Sequence, residues 1–281
     1  MDATVATDAE RFGMAGLYRA FMDYARAFYT GRRERDYHLA LKLEHSLNVF
    51  RHACRIAEEE AAVAAVPDRA RGTRIAALFH DLGRFAQFSK YGTFNDARSE
   101  NHARLALREV KRLGLFSREE RRVRQLALTA VLTHNRFALA PGMDADALAV
   151  ARAVRDADKL DIMRIMAGHL TAEGPVDSVV ALGVKSSPEA TPVILRAVME
   201  RRLGSYADLA TTTDFKLLVC GWLYDLNYAH SRRQAAVSGH LRVLFDSLPR
   251  REELLGFIRQ YGDDLAACAQ ADSRRAAAIF L

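Results

Sequence analysis

The sequence predicts an all-α protein, and three features of the chain support this prediction. Ala, Leu, Arg and Glu, which favour helices, are abundant. Only 6 prolines and 16 glycines interrupt the 281 residues. Apolar residues recur at intervals of three and four through most of the chain, which places them on one face of a helix. We therefore expect a core that is built from packed amphipathic helices.

The first part of the chain contains six predicted helices, each with its own apolar stripe. Pro67 and Gly72 separate the second helix from the third, and the pair Pro141-Gly142 marks a turn before the sixth. These helices are predicted over residues 12–30, 40–65, 70–82, 99–113, 118–136 and 144–170.

The longest predicted break covers residues 174–192, which contain three of the prolines. Beyond it the periodicity predicts five further helices, over residues 190–203, 213–231, 233–247, 251–260 and 263–277. The expected domain organisation is an N-terminal helical extension over 1–37, a helical core over 38–170 and an accessory helical region over 171–281.

Composition argues against several classes of protein. The three cysteines, Cys54, Cys220 and Cys268, are odd in number and lack C-x-x-C spacing, so neither a disulfide framework nor a zinc knuckle is expected. The polar amino terminus does not resemble a secretory signal, and no apolar run approaches the roughly 20 residues that span a bilayer. We expect a cytoplasmic protein without a membrane partner.

The chain has 41 basic and 35 acidic residues, a net charge of +6. Its arginine pairs lie inside or beside helical patterns along the whole sequence, which is typical of solvated helix faces. This distribution favours solvated surfaces over a nucleic-acid interface, so a nucleic-acid partner is not expected.

The candidate functional residues are metal-competent side chains on or beside apolar faces. His80 and Asp81 are consecutive in RIAALFHDLGRF, and four further groups occupy separate helical segments. Imidazole nitrogens with carboxylate oxygens suit Zn, Mn, Fe, Ni or Co, and six groups exceed one tetrahedral site. The sequence therefore suggests two metals that share a bridging ligand. The six candidates are His45, His80, Asp81, His102, His134 and Asp158.

The helical faces explain why these six are singled out. His134 follows Val123, Ala127 and Ala130 in an apolar stripe, where an unpaired histidine is unusual. Asp158 lies on the face of its helix that carries apolar residues, and a buried carboxylate needs a strong partner such as a divalent cation. His52 lies about 10 Å along the helix from His45, too far to join the same ion.

In this order the six residues resemble the motif of the HD-domain superfamily of metal-dependent phosphohydrolases. The resemblance covers roughly residues 38–166. The segments HDLGRFAQFSKYGTFNDARSENHA, RDADKLDIMRIM and WLYDLNYAHS are similar to one bacterial branch of that superfamily. The resemblance implies that His45, His80, Asp81 and Asp158 hold a first metal. It also implies that Asp81 bridges to a second metal held by His102 and His134.

Some features of the superfamily are missing. No GYP tripeptide follows His80-Asp81, and Asn135 stands where a second histidine would follow His134. These departures disfavour a cyclic-dinucleotide phosphodiesterase. The Glu-Asp pair of the stringent-response hydrolases is also missing, which disfavours a guanosine-alarmone substrate.

Three cationic residues are the candidate substrate contacts. Arg84 lies one helical turn after His80-Asp81, Lys159 adjoins Asp158, and Lys42 lies three residues before His45. Arginine and lysine both bind phosphate groups, and we predict that Arg84 and Lys159 act in catalysis together with Asp81. The alternative is that Arg84 and Lys159 only pair with nearby carboxylates.

The segment SKYGTFNDARSEN, residues 89–101, separates two ligand-bearing helices. We predict that it covers the site, with Gly92 as a hinge. An ordinary helix connection is the alternative.

The expected function is hydrolysis of a phosphate ester by a metal-activated water, with two divalent transition metal ions as cofactors. The expected partner is a small phosphorylated substrate such as a nucleotide, and the oligomeric state is left open. A di-iron oxygenase is the first alternative, because inositol oxygenase and a phosphonate-cleaving oxygenase use the same six-ligand pattern. A non-catalytic module that binds a nucleotide is the second.

Overall fold

The structure is a computed structural model that describes residues 3–174 and 176–270. Within these residues the protein is all-α, as predicted, and no strand is formed. Lys185 and Thr211 form an isolated bridge. No helix of the described residues is long and apolar enough to cross a membrane.

The chain divides into two compact units, Met1–Asp158 and Lys159–Leu281. Among the described residues, eight α-helices lie within the first unit, and helix α9 begins in the first unit and ends in the second. The predicted domain boundaries at 37/38 and 170/171 stay predictions. The helices of the first unit are α1 (Ala3–Arg11), α2 (Ala15–Arg26), α3 (Arg33–Glu59), α4 (Ala61–Ala64), α5 (Pro67–Phe79), α6 (Leu82–Tyr91), α7 (His102–Arg112) and α8 (Arg121–Thr133), and α9 spans Ala145–Thr171.

The second unit contains five further helices among its described residues. They are α10 (Pro192–Met199), α11 (Thr212–Gly221), α12 (Ala229–Val237), α13 (His240–Asp246) and α14 (Leu255–Gln270). Phe245 and Phe257 pack against the fully buried ring of Tyr261, with centroid distances of 5.5 and 5.1 Å. Aromatic packing of this kind anchors α13 and α14 to one core.

An aromatic cluster joins α2, α5 and α6 in the first unit. The ring of Phe21 from α2 meets Phe79 at 5.7 Å and Phe85 at 6.1 Å between centroids, both edge to face. Phe79 ends α5 and Phe85 belongs to α6, so the cluster fixes the junction between the two helices. His80 and Asp81 form that junction.

Helix α6 was not predicted, because no helix was expected between residue 82 and residue 99. Gly83 explains how α6 packs. A Cβ atom at Gly83 would lie 2.6 Å from the backbone nitrogen of Ala106, so only glycine lets α6 approach α7 this closely.

Other boundaries also differ from the prediction. Helix α3 begins at Arg33, well before residue 40, and the carboxylate of Asp36 accepts hydrogen bonds from the backbone of Thr30 and Gly31 ahead of it. The N-cap of α7 is Asn101, whose side chain accepts from the Arg104 backbone at 3.0 Å, so α7 begins at His102 and not at residue 99 as predicted. His45 therefore lies in the middle of α3.

In the second unit the predicted helix 213–231 is divided, because α11 ends at Gly221 and a 3-10 turn over Trp222–Asp225 follows it. The predicted helices over 251–260 and 263–277 are one helix, α14, up to residue 270. Residues 271–277 lie outside the described part of the chain.

Candidate metal centre

Six side chains from five helical segments meet in the first unit. His45 comes from α3, His102 from the first turn of α7 and Asp158 from α9. His80 and Asp81 lie between α5 and α6, and His134 follows the last residue of α8. Five of the six side chains are at most 4 % exposed, and Asp158 is 16 % exposed. The structure thus brings together every residue that the sequence proposed as a metal ligand.

Four ligand atoms form a first group. The Nε2 atoms of His45 and His80 are 3.3 Å apart, and Oδ1 of Asp158 lies 3.2 Å from the first and 3.7 Å from the second. Oδ2 of Asp81 completes the group at 3.6 Å from His45 and 3.8 Å from His80.

Three ligand atoms form a second group beside it. The Nε2 atoms of His102 and His134 are 3.0 Å apart. The other oxygen of Asp81, Oδ1, lies 3.4 Å from His102 and 3.8 Å from His134. Asp81 therefore presents one oxygen to each group.

These separations fit a divalent metal ion. Two ligand atoms bound at about 2.0–2.2 Å, with angles between 90° and 109°, lie about 2.8–3.6 Å apart. The measured separations fall inside that range or within a few tenths of an ångström of it. His45, His80 and Asp158 could hold an ion, as could His80, Asp81 and His134, since the ligand atoms of each set lie within 4.8 Å of one another.

The imidazoles turn their Nε2 lone pairs toward the cluster. Nδ1 of His80 lies 2.8 Å from the carbonyl oxygen of Ala77, and Nδ1 of His134 lies 2.8 Å from that of Val131. A carbonyl oxygen can only accept, so each Nδ1 carries the proton and donates it. Nε2 is then left as the ligand atom.

His102 donates instead to a carboxylate. Its Nδ1 lies 2.8 Å from Oδ2 of Asp96. Burial and the charge of Arg84 lower the pKa of His102 to about 3, so its ring is neutral near pH 7. The lone pairs of His102 and His134 therefore face each other at 3.0 Å, an arrangement that repels unless a cation lies between them.

The two carboxylates of the cluster are ionised. Burial opposes the charge of Asp81, but the charges of Lys42 and Arg84 outweigh it and hold the pKa of Asp81 well below its ordinary value. Burial likewise opposes the charge of Asp158, but the adjacent His45, whose Nε2 lies 3.2 Å from Oδ1, helps to hold the pKa of Asp158 well below its ordinary value. A cation would therefore meet little competition from protons at these oxygens.

The three predicted substrate contacts have different surroundings. Nζ of Lys42 lies 2.9 Å from Oδ2 of Asp81. Nη1 of Arg84 donates to the carbonyl of Phe94 at 2.5 Å and to Asp96 at 3.0 Å, and its Nε lies 3.4 Å from Asp81. Both cations adjoin the cluster, and both already have carboxylate partners.

Lys159 belongs to the second unit, where its Nζ pairs with Oδ2 of Asp225 at 2.6 Å. The carboxylate pairing that the sequence left as an alternative for Arg84 and Lys159 is therefore present for both. The substrate-binding roles of Lys42, Arg84 and Lys159 stay predictions.

Two polar residues beside the cluster were not singled out from the sequence. Asp96 accepts the Nδ1 proton of His102, and the buried amide of Gln87 donates to Asp96 at 2.9 Å. Asp96 lies in the segment predicted to cover the site, and nothing in its spacing from His102 indicates that the two residues are in contact.

The HD domain family matches residues 43–163. No curated protein and no solved structure matches the chain at a significant level. The matched span contains all six residues of the cluster, in the order His, His-Asp, His, His, Asp. The match confirms the resemblance to the HD-domain superfamily for residues 43–163.

Proposed function

We propose that the protein is a metal-dependent phosphohydrolase that cleaves a phosphate ester of a nucleotide or another small phosphorylated metabolite. The match of residues 43–163 to the HD domain family, which typically consists of metal-dependent hydrolases, supports the reaction class. The observation that carries the proposal is the position of Asp81, whose two oxygens face two separate groups of candidate ligand atoms.

We assign the first group to one divalent ion, bound by His45, His80, Asp81 and Asp158. The second group, Asp81, His102 and His134, would bind a second ion. Two such ions supply Lewis acidity that polarises a phosphoryl oxygen and activates water. The donors suit Mn, Fe, Co, Ni or Zn.

Side chains of the protein would orient Asp81 and bind the phosphate group. Asp81 is held between Lys42 and Arg84, so its carboxylate stays ionised and oriented. The two cations are 16 % and 15 % exposed, so they keep access to solvent. An anionic phosphate that approaches Asp81 would meet both of them, and Lys159 is proposed as a third contact.

Hydrolysis can be separated from oxygen chemistry by one experiment. The protein is stripped with a chelator, reloaded with Mn²⁺, Co²⁺ or Ni²⁺ under exclusion of oxygen, and tested against a panel of nucleotides and phosphorylated metabolites. We expect phosphate release from at least one ester, because hydrolysis needs a Lewis acid and water but no oxidant. An iron-loaded aerobic sample is tested in parallel for oxygen consumption.

Asp81→Ala is the matched inactive variant. Removal of the Asp81 carboxylate should reduce the metal content from about two ions per chain to near zero, because this one carboxylate serves both groups. Asp23→Ala, at an exposed position of α2, is the control and should keep both ions. Oxygen consumption by the iron-loaded protein, without phosphate release from any ester, would contradict the proposed hydrolase and indicate an oxygenase instead. Full metal content in Asp81→Ala would contradict the shared ligand.

A further inference from the structure

Asp96 lies at the centre of a hydrogen-bond network beside the second group. Besides Nδ1 of His102, its carboxylate accepts from Nη1 of Arg84 at 3.0 Å, from Nε2 of Gln87 at 2.9 Å and from Nδ2 of Asn135 at 3.2 Å. These donors come from α6, from α7 and from the residue that follows His134. Four donors meet one side chain that can only accept.

The contact with His102 differs from the contacts of two other histidines of the cluster. His80 and His134 each donate to a backbone carbonyl three residues earlier in their own helical turn. His102 instead donates to a charged side chain of the preceding segment, at 2.8 and 2.9 Å from its two oxygens. A carboxylate acceptor gives a stronger hydrogen bond than a carbonyl, and it makes the opposite ring nitrogen more basic.

Asp96 is itself held in place. The amide of Gln87, which is fully buried, also donates to Oγ of Ser99 and to the carbonyl of Glu100, both at 2.8 Å. The 3-10 turn over Asp96–Arg98 is capped by Asn95, whose side chain accepts from the Ala97 backbone. The carboxylate therefore has few alternative positions relative to His102.

We infer that Asp96 is a positioning residue that fixes the tautomer and orientation of His102 and so determines how tightly the second ion is bound. This inference rests on the proposed function only in taking the second group as a metal site. The segment 89–101 would then have a role besides the predicted covering of the site, because its residue Asp96 orients the candidate metal ligand His102.

The chemistry of the network predicts what an isosteric change would do. Asp96→Asn keeps the size of the side chain but replaces an acceptor oxygen by an NH₂ donor. With four donors directed at two acceptor atoms, at least one donor would then face another donor. The neutral amide would also no longer select the Nδ1-protonated form of His102.

The experiment compares wild type with Asp96→Asn by two measurements. In metal-free protein, two-bond ¹H–¹⁵N correlation spectra report the histidine tautomers, and we expect His102 to be Nδ1-protonated in the wild type and mixed in the variant. Titration with Mn²⁺ should show the first ion bound as in the wild type and the second about 10- to 100-fold more weakly.

Two control variants distinguish the orientation of His102 by Asp96 from a general effect on the conformation of residues 89–101. Ser99→Ala removes one partner of Gln87 without touching the contact between Asp96 and His102, and Asp144→Asn changes a solvent-exposed ion-paired carboxylate elsewhere in the unit. Both should bind the second ion within about twofold of wild type. An equal loss of affinity in Ser99→Ala would overturn the proposal.

Unchanged tautomer and unchanged affinity in Asp96→Asn, beside a wild type that binds two ions, would overturn the role of Asp96 alone. A wild-type protein that binds no divalent ion would overturn the metal centre and this inference together.

Discussion

At the scale of single residues, the three candidate substrate contacts each have a carboxylate partner. Lys42 and Arg84 contact Asp81, and Lys159 contacts Asp225. An ammonium or guanidinium group that binds phosphate would exchange such a partner for the substrate. If these side chains bind substrate as proposed, each ion pair would compete with the phosphate for the cationic group.

Lys159→Met tests whether Lys159 also contacts the substrate. A charge-assisted hydrogen bond to phosphate contributes about 1.5–3 kcal/mol, so kcat/KM should fall about 10- to 150-fold while the metal content stays the same. Steady-state kinetics and metal analysis measure the two quantities. Lys216→Met is the control, because Lys216 is also partly buried in the second unit, where it donates to the Ser247 carbonyl. If Lys159→Met lowers the stability but leaves kcat/KM unchanged, Lys159 pairs with Asp225 and does not contact the substrate.

At the scale of helices, the position of the cluster depends on how closely α6 and α7 pack. Gly83 follows the His80-Asp81 pair by two residues, and His102 begins the facing helix. A Cβ atom at Gly83 would lie closer than 3.0 Å to the backbone of His102 and Ala106 and to the side chain of Leu105. The contact is largely between backbones, so no flexible side chain can relieve it.

Gly83→Ala should therefore force the two helices apart. Overpacking in a core typically costs about 1–3 kcal/mol, and we expect the free energy of unfolding to fall by at least about 2 kcal/mol. His102 would move with α7, so binding of the second ion should weaken as well. Urea denaturation and metal titration measure these two effects.

Gly16→Ala is the matched control, since Gly16 lies in α2 with no atom within 4 Å of the added Cβ. It should change stability by less than about 1 kcal/mol, and in the stabilising direction, because alanine favours the helix. Equal stabilities for Gly83→Ala and wild type would show that α6 and α7 do not need this close approach.

At the scale of the whole molecule, each compact unit contains a buried thiol that reports on its unfolding. Cys54 belongs to the first unit, and Cys220 and Cys268 belong to the second. Burial raises the pKa of the Cys54 and Cys220 thiols to about 12 and also raises the pKa of Cys268. None of the three is poised as a nucleophile, in agreement with the proposed hydrolysis, which uses no cysteine.

We predict that the native protein resists alkylation by iodoacetamide at pH 8. A thiol with a pKa of about 12 forms about a thousandfold less thiolate than one with a pKa near 9, and burial blocks access as well. Labelling should appear only with unfolding in urea, and mass spectrometry of peptides assigns it to Cys54 or to Cys220. The unfolded protein in 8 M urea is the positive control. Rapid labelling of Cys54 without denaturant would contradict its burial.

The same shifts give the sign of the alkaline pH dependence. A pKa that is higher in the folded state stabilises the protein below the pKa of the unfolded thiol, near 9, and this contribution is lost as the pH rises toward 12. The free energy of unfolding should therefore decrease above pH 9.

The sequence alone determined the fold class and the set of residues that form the cluster. Helical periodicity records which faces are buried, and a histidine such as His134 at the end of an apolar stripe indicates a buried polar group in need of a partner. The order of the six candidate ligands along the chain is also a property of the sequence. For these reasons the all-α class and the six candidates could be predicted without coordinates.

Only the tertiary structure decided how these residues are arranged in space. His45 and His80 are 35 residues apart and His102 and His134 are 32 apart, so the separations of their nitrogens depend on helix packing and not on local spacing. The same holds for Asp96, which reaches His102 from a segment without helical periodicity, and for the carboxylate partner of Lys159. Contacts through space between distant segments leave no periodic signal in the sequence, because periodicity reports the buried face of each helix but not the neighbour that covers it.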